Sequence, residues 1–305
     1  GAAPRGGRPG GGSRGAGGGS FSGGRAVPGP EARGGSARPG GPAFVDDGRG
    51  FAESHSGARA PDTAPPIPEG AVTSRRMVIY GRNPVREALR GKRKVHRIWA
   101  TSAEGWGSAK VTIATAEEIE ERAESDAHQG VCALVDPYPY SDATELLANI
   151  DAPLFVALDE ITDPQNLGAI CRTAEAAGAT AVVIPERRSA EVTPAVCKAS
   201  AGAVEHIPIC RVKNLADFLA EAKEKECWVY GAAAGGTTSY DQPDYTGGVV
   251  AVLGAEGKGL RPRVASMCDD LVALPLLGRI ESLNVSATAA VLLYEMLQQR
   301  LDTST

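Results

Sequence analysis

Five polar residues stand where apolar stretches give way to loops, and their types suit the holding and activation of a polar ligand. Asn166 and Arg172 lie in "DEITDPQNLGAICRTAEAAGA" (159–179), directly after the apolar run "LFVAL". Glu256 lies in "LGAEGKGL" (253–260), after "VVAVL", and Ser282 and Asn284 close "LPLLGRIESLN", ahead of an apolar stretch that begins at Val285. Arg172 interrupts a helix of small and apolar residues, where a charge asks for a partner. It reads either as a surface arginine paired with Glu175 or Glu160, or as a working cation. Residues six apart on a helix are rotated by about 120°, so Asn166 is not its ready partner. The glycines of the second loop let backbone come close to a ligand. Their order is G-x-x-G-x-G, not the G-x-G-x-x-G of dinucleotide sites, and Gly259 stands where a Walker loop needs Ser or Thr after its lysine. Glu256 inside the loop disfavours phosphate as its ligand. Ser282 and Asn284 read as a rim where helix-start N–H groups hold a polar ligand, or Asn284 or Ser286 as a helix cap and nothing more.

These loops need strands and helices to aim them. "LFVAL", "TAVVI", "VEHIPI", "CWVYGAA", "VVAVL" and "LVALPL" read as short buried strands. Between them, "NLGAICRTAEAAG" is an amphipathic helix ending at Gly178, "TPAVCKASAG" a short helix, and "NLADFLAEAKEKE" a helix begun by Asn214. The final helix starts near Asn284. Such alternation implies a parallel sheet covered on both faces, with ligands at the carboxyl ends of its strands.

Upstream, "MVIYG", "HRIWAT" and "GVCALV" read as strands, and Asn83 reads as the cap of a helix with Pro84 at its first position, ending at Gly91. The segment "RRMVIYGRNPVREALRGKRKVHR" (75–97) holds seven Arg and two Lys against one Glu, a local charge of +8 on a chain whose formal net charge is -5. That is an electrostatic footprint for phosphates, with a solvated helix face as the bland alternative. Arg82, Arg86, Arg93 and Lys94 are the candidate RNA contacts. "DPYPYSDATELLANIDAP" reads as a linker with a short helix. The expected division is a tail over 1–74, a small basic α/β domain over 75–135, a linker over 136–152 and the main domain over 153–303.

Half of the 38 glycines lie in the first fifty residues, a composition that cannot offset ordering entropy by burial and is expected to stay disordered. The first residue is Gly1 rather than Met, so the true start is left open; a transit peptide suits this stretch less well than a linker or an RNA-brushing tail. No apolar run reaches bilayer length and no secretory signal is visible, so no membrane association is expected. The six cysteines are scattered without a C-x-x-C pair, and the four histidines lack metal-ligand spacing. The expectation is no metal and a reducing cytoplasm.

Together, in order and spacing, "DPQNLGAICRTAEAAGA", "VLGAEGKGL" and "LPLLGRIESLNVSATAAVLLYE" resemble the three signature motifs of the SpoU-type (TrmH) ribose 2'-O-methyltransferases of the SPOUT superfamily. The likeness spans about 154–301. The preceding "YGRNPVREAL…HQGVCALV" resembles the ribosomal-protein-like substrate-recruiting domain of the branch that modifies a guanosine of 23S rRNA. The resemblance implies an α/β SPOUT-type parallel sheet with a C-terminal trefoil knot, a feature nearly absent from other proteins. It implies S-adenosylmethionine (S-adenosyl-L-methionine) as methyl donor, held by main chain at Gly254, Leu274 and Leu283. Asn166, Arg172, Glu256, Ser282 and Asn284 become the polar active-site set, with Arg172 near the ribose hydroxyl and its phosphate. An arginine is a poor general base, since its pKa lies above about 12; a role in holding phosphate and stabilising the developing alkoxide is preferred to the base role often proposed. Glu256 is expected to accept bonds from Arg172 or from loop amides. Members of the family usually work as homodimers.

The implied function is S-adenosylmethionine-dependent methylation of a guanosine 2'-OH in 23S rRNA. Alternatives are the same chemistry on another rRNA site or on tRNA, including a resistance-type enzyme, or a non-catalytic RNA-binding assembly factor on the same fold. A dinucleotide-binding oxidoreductase fits the alternation but fails on the glycine order.

Overall fold

Uncharged runs of aliphatic residues, too short for helices and closed by Gly, Pro or Asp, make the central strands. In the computed structural model, residues 76–303 are described; the expected tail over 1–74 lies outside them. The first part is a four-stranded sheet of β1 (Met77–Tyr80), β2 (Val95–Ala100), β3 (Val111–Ile113) and β4 (Val131–Val135), in the order β1-β4-β2-β3. β4 runs antiparallel to β1 and β2, and β2 is parallel to β3. Helices α1 (Arg82–Arg90) and α2 (Ala116–Ala123) accompany it. The cap of α1 is Gly81, not Asn83, which lies inside the helix. α2 and β3 were not anticipated, although Thr115 and Glu118 form a reciprocal capping box at the start of α2.

The chain then crosses to the main sheet. Residues 136–142 are pinned rather than loose. The Tyr138 hydroxyl donates to the carbonyls of Val204 and Ile207, the Tyr140 hydroxyl accepts from Val192 N at 2.9 Å, and Ser141 N donates to Ile209 O. After α3 (Ala143–Asn149) come β5 (Leu154–Asp159), α4 (Pro164–Ala176), β6 (Ala181–Pro185), α5 (Pro194–Ala199), β7 (Ile209–Val212), α6 (Leu215–Glu224) and β8 (Trp228–Ala232). The chain ends through β9 (Thr238–Ser239), β10 (Val249–Gly254), α7 (Pro262–Ala265), β11 (Asp270–Ala273) and α8 (Val285–Asp302). "VEHIPI" is not the expected strand: a 3-10 turn occupies Ala203–Glu205 and β7 begins only after Pro208, which has no N–H to give a ladder.

The seven strands are all parallel, in the order β7-β6-β5-β10-β8-β11-β9. Alternate residues serve opposite cores: Val156, Leu158, Ala251 and Leu253 pack with the α4, α5 and α8 side, while Phe155, Ala157, Val250 and Val252 pack with α3 and α6. Gly168 lets α4 and α5 touch, since a Cβ there would lie 2.4 Å from that of Ala199. From β5 the chain builds outward in one direction through β6 and β7, and β10 returns on its other flank. That reversal opens a crevice at the carboxyl ends of β5 and β10, where open α/β sheets bind their ligands.

Candidate active site

At that crevice the first two loops are clamped together. Asp159, the fully buried last residue of β5, accepts from Arg261 N at 2.8 Å and from Arg261 Nε at 2.7 Å. The hydrogen bond that the Arg261 guanidinium donates to this carboxylate raises its pKa above the ordinary value. Glu160 also lies near Arg261 (3.6 Å) and Arg188 (3.4 Å). Neither Asp159 nor Arg261 was singled out from the sequence; the available signal was an acid closing a wholly apolar strand.

Asn166, Glu256 and Asn284 meet although they come from three separate places in the chain: the first turn of α4, the loop after β10 and the cap of α8. Glu256 Oε1 accepts from Asn284 Nδ2 at 2.6 Å, Asn166 Nδ2 at 3.2 Å and Val285 N at 3.3 Å. Asn284 Nδ2 also donates to Asn166 Oδ1 at 3.0 Å. Glu256 therefore takes its bonds from two asparagines and a helix-start amide; no bond from Arg172 is found among the described residues. The cap and ligand-rim readings of Asn284 coincide. Its Oδ1 accepts from Ser286 N (2.8 Å) and Ala287 N (3.3 Å), capping α8, while its Nδ2 faces the acid.

Beside this knot of polar groups lies a cleft of about 630 Å³. Leu253–Gly257 form one wall, Ala232–Ala234 from the end of β8 another, and Leu274, Leu276 and Glu281–Val285 the third. Of the expected residues, Gly254, Glu256, Leu274, Ser282, Leu283 and Asn284 line it. Gly254 cannot carry a side chain, because a Cβ would lie 2.3 Å from the Gly259 carbonyl carbon. Asn166 stands behind the cleft, buried, bracing Glu256 and Asn284. Arg172 does not line it. It lies further along α4, exposed, its side chain with no hydrogen bond or ion pair among the described residues, so pairing with Glu175 or Glu160 is not observed.

The basic segment divides. Arg82 and Lys94 are exposed, and Arg86 is half-buried with its guanidinium 5.7 Å from the Trp106 ring centre. Arg93 departs from expectation. It is buried at the junction of the two sheets, ion-paired with Glu205, whose Oε2 accepts from Arg93 Nε at 3.1 Å, and it also reaches the sulfurs of Met77 and Cys197. A side chain enclosed in this way presents nothing to RNA, which removes Arg93 from the candidate contacts.

A mainly apolar cleft with backbone walls and a few convergent polar groups is the form of a small-molecule site. Residues 153–294 match the model of the SpoU rRNA methylase family, and residues 78–141 match that of RNA 2'-O ribose methyltransferase substrate-binding domains. The 23S rRNA (guanosine-2'-O-)-methyltransferase RlmB of Pseudomonas syringae is 41% identical over 238 residues, 73% of this chain and 95% of the relative. The chain belongs to the SpoU rRNA methylase family. A second SpoU relative, the RlmB protein of Pasteurella multocida, is 42% identical over 189 residues, 61% of this chain and 77% of its own. In structure, the chain is similar to an AdoMet-bound rRNA methyltransferase from Sinorhizobium meliloti, with a TM-score of 0.64 and 27% identity, covering 73% of this chain and 87% of that one. The parallel sheet is thus a SpoU-family sheet. Among the described residues, no group of three or more His, Cys, Asp or Glu is placed to hold a metal ion, and no helix is long and apolar enough to cross a membrane.

Proposed function

We propose that this chain transfers a methyl group from S-adenosylmethionine to the 2'-OH of a guanosine in 23S rRNA. The observation that carries the reading is the convergence of Asn166, Glu256 and Asn284 on the cleft edge of a chain in this family. The cleft fits the donor: its volume suits a ligand of nucleoside size, its walls join small and aliphatic residues to a few polar ones, and Gly254, where a Cβ would strike the Gly259 carbonyl, lets the second loop close tightly along it. S-adenosylmethionine, when bound, supplies an electrophilic methyl on a sulfonium.

The protein's part is positioning and electrostatics. Gly254, Leu274 and Leu283 hold the donor by main chain and close packing. Glu256 ties the second loop to the start of α8, and the two asparagines fix its direction, so the third loop keeps its place against the donor. Ser282, exposed on the cleft rim, is available to the ribose. Arg172, with no carboxylate partner among the described residues, holds the phosphate beside the target ribose and stabilises the alkoxide as the 2'-OH proton passes to solvent water. Its guanidinium suits that role better than proton abstraction.

Residues 75–135 form the RNA-recruiting domain and 153–303 the transfer domain in this reading, with the C-terminal segment drawn into a trefoil knot. Support for the knot is the return of β10 between β5 and β8, with segment 274–284 lying against the loop after β10. Two copies associate through α8. One face of that helix, Val285, Ala289, Leu292 and Met296, is buried within the chain, and the other leaves Val291, Tyr294 and Leu301 exposed. The enzyme works in the cytoplasm, where its six free thiols stay reduced.

The test is incubation with methyl-labelled S-adenosylmethionine and unmodified large-subunit rRNA, beside tRNA, with Arg172→Ala as control. Label on rRNA that disappears in the variant is expected. Label on tRNA alone overturns the substrate, and no label on either overturns the activity.

A further inference from the structure

The junction between the small sheet and the main sheet distributes its charges unevenly. Glu205 takes Arg93, and Glu87 takes Arg90 and His206, each at 2.9 Å. The surfaces meet closely: a Cβ on Gly202 would lie 2.7 Å from that of Glu87, and one on Gly91 would lie 3.0 Å from that of Glu205. The acids of the junction are thereby consumed inside it. Two cations at its edge have no carboxylate partner among the described residues, Arg82 at the start of α1 and Lys198 in the last turn of α5.

These two come from opposite halves and meet at one turn of backbone. Lys198 Nζ would lie 2.7 Å from a Cβ on Gly81, so the ammonium sits against the residue that precedes Arg82. Gln129 braces the turn, its Oε1 accepting from Arg82 N at 3.1 Å and its carbonyl from Arg82 Nε at 3.5 Å. Burial pushes the Lys198 ammonium below the usual lysine range, the direction taken by a cation that loses water without gaining an anion. Both side chains that reach this turn are cations without a carboxylate among the described residues, so an anion placed there is attracted by both.

We propose that Arg82 and Lys198 jointly hold one phosphate of the RNA backbone, so that a single substrate strand bridges the two halves of the chain. This rests on the RNA-methyltransferase reading and goes beyond it by giving the transfer domain a direct part in recruitment. The guanidinium fork and the point charge of an ammonium are complementary ways of meeting one phosphodiester. Arg86, one turn further along α1, extends the same surface.

The experiment is filter retention of the full chain on an unmodified large-subunit rRNA transcript across a salt series, with melting temperature and S-adenosylmethionine affinity measured on every variant. Lys198→Gln and Arg82→Gln are each expected to weaken binding by about three- to tenfold, and to lower the salt slope by roughly 0.7 to 0.9. The double variant is expected to fall no further than the weaker-binding single variant, because one phosphate is shared. Lys198→Arg is expected to keep binding. Single variants that bind as wild type, losses that add in both affinity and slope, or Lys198→Arg binding as poorly as Lys198→Gln would each overturn the shared site. Wild-type protein that binds rRNA without methylating it would remove the proposed activity and leave the phosphate site to be judged by its own binding data. Wild-type protein that does not bind rRNA overturns both.

Discussion

At the residue scale, Arg172 and Glu256 have separable tasks. Glu256 holds three donors from two loops, so Glu256→Ala releases Asn284 and the Val285 amide together. S-adenosylmethionine binding by that variant should weaken by about tenfold, the equivalent of one charge-assisted hydrogen bond. Arg172 touches neither the cleft nor another charge among the described residues. Arg172→Ala should therefore bind S-adenosylmethionine as wild type does and lose methyl transfer by roughly 10²- to 10³-fold. Calorimetry with single-turnover kinetics checks both; a large loss of donor binding in Arg172→Ala contradicts the assignment. Asn284 was legible because an amide ahead of an apolar helix has few other uses. Arg93 was misplaced because a run of basic residues reveals charge but not direction. Its partner Glu205 lies 112 positions away in the chain, a distance no local pattern spans.

At the scale of elements, the Asp159–Arg261 clamp holds β5 to the loop after β10. Removing the cation leaves a fully buried carboxylate with the Arg261 backbone N–H but no counter-charge within the clamp. Arg261→Ala should cost about 3 kcal/mol of stability, read from denaturant midpoints; a change below about 0.5 kcal/mol, the level of an ordinary surface substitution, counts against the clamp. A second expectation concerns α4 and α5, whose packed faces bury Cys171 and Cys197. Burial pushes these thiols up to about 12 and about 11, from the ordinary value of 9.0. The native state keeps those protons at pH values where the unfolded chain has lost them. Stability should hold below about pH 9 and fall as pH rises from there toward 12. Chemical denaturation at pH 8 and pH 10 checks this, and equal midpoints would contradict it. Most strands were legible from their uncharged aliphatic runs. β7 was displaced because its apolar letters begin in a turn, and α2 was overlooked because its face is almost wholly acidic, with the signal confined to its capping box.

At the scale of the whole molecule, the parallel sheet follows from strand–helix alternation, but its strand order does not. Nothing local announces that β10 returns beside β5, and that return makes the crevice. The same limit applies to partners. The exposed side of α8 looks like any half-buried helix until its other face is seen to be filled within the chain. α4 packs against α8, so in a pair joined there Arg172, which stands outside its own cleft, is a candidate to serve the partner's. Arg172→Ala and Asn284→Ala chains, assayed at a donor concentration where neither is active alone, should on mixing recover roughly a quarter of wild-type activity, since half the pairs are mixed and each mixed pair has one intact site. No recovery, with mixed pairs demonstrated by differential tagging, would assign Arg172 to its own chain's site.

The measurement that bears most directly on the account is nucleoside mass spectrometry of large-subunit rRNA after incubation with the protein and S-adenosylmethionine. A single new 2'-O-methylguanosine, located by primer extension arrest and missing with Arg172→Ala, is the result expected. A methyl group on a base, or no methylated nucleoside despite tight binding of both RNA and S-adenosylmethionine, would contradict it.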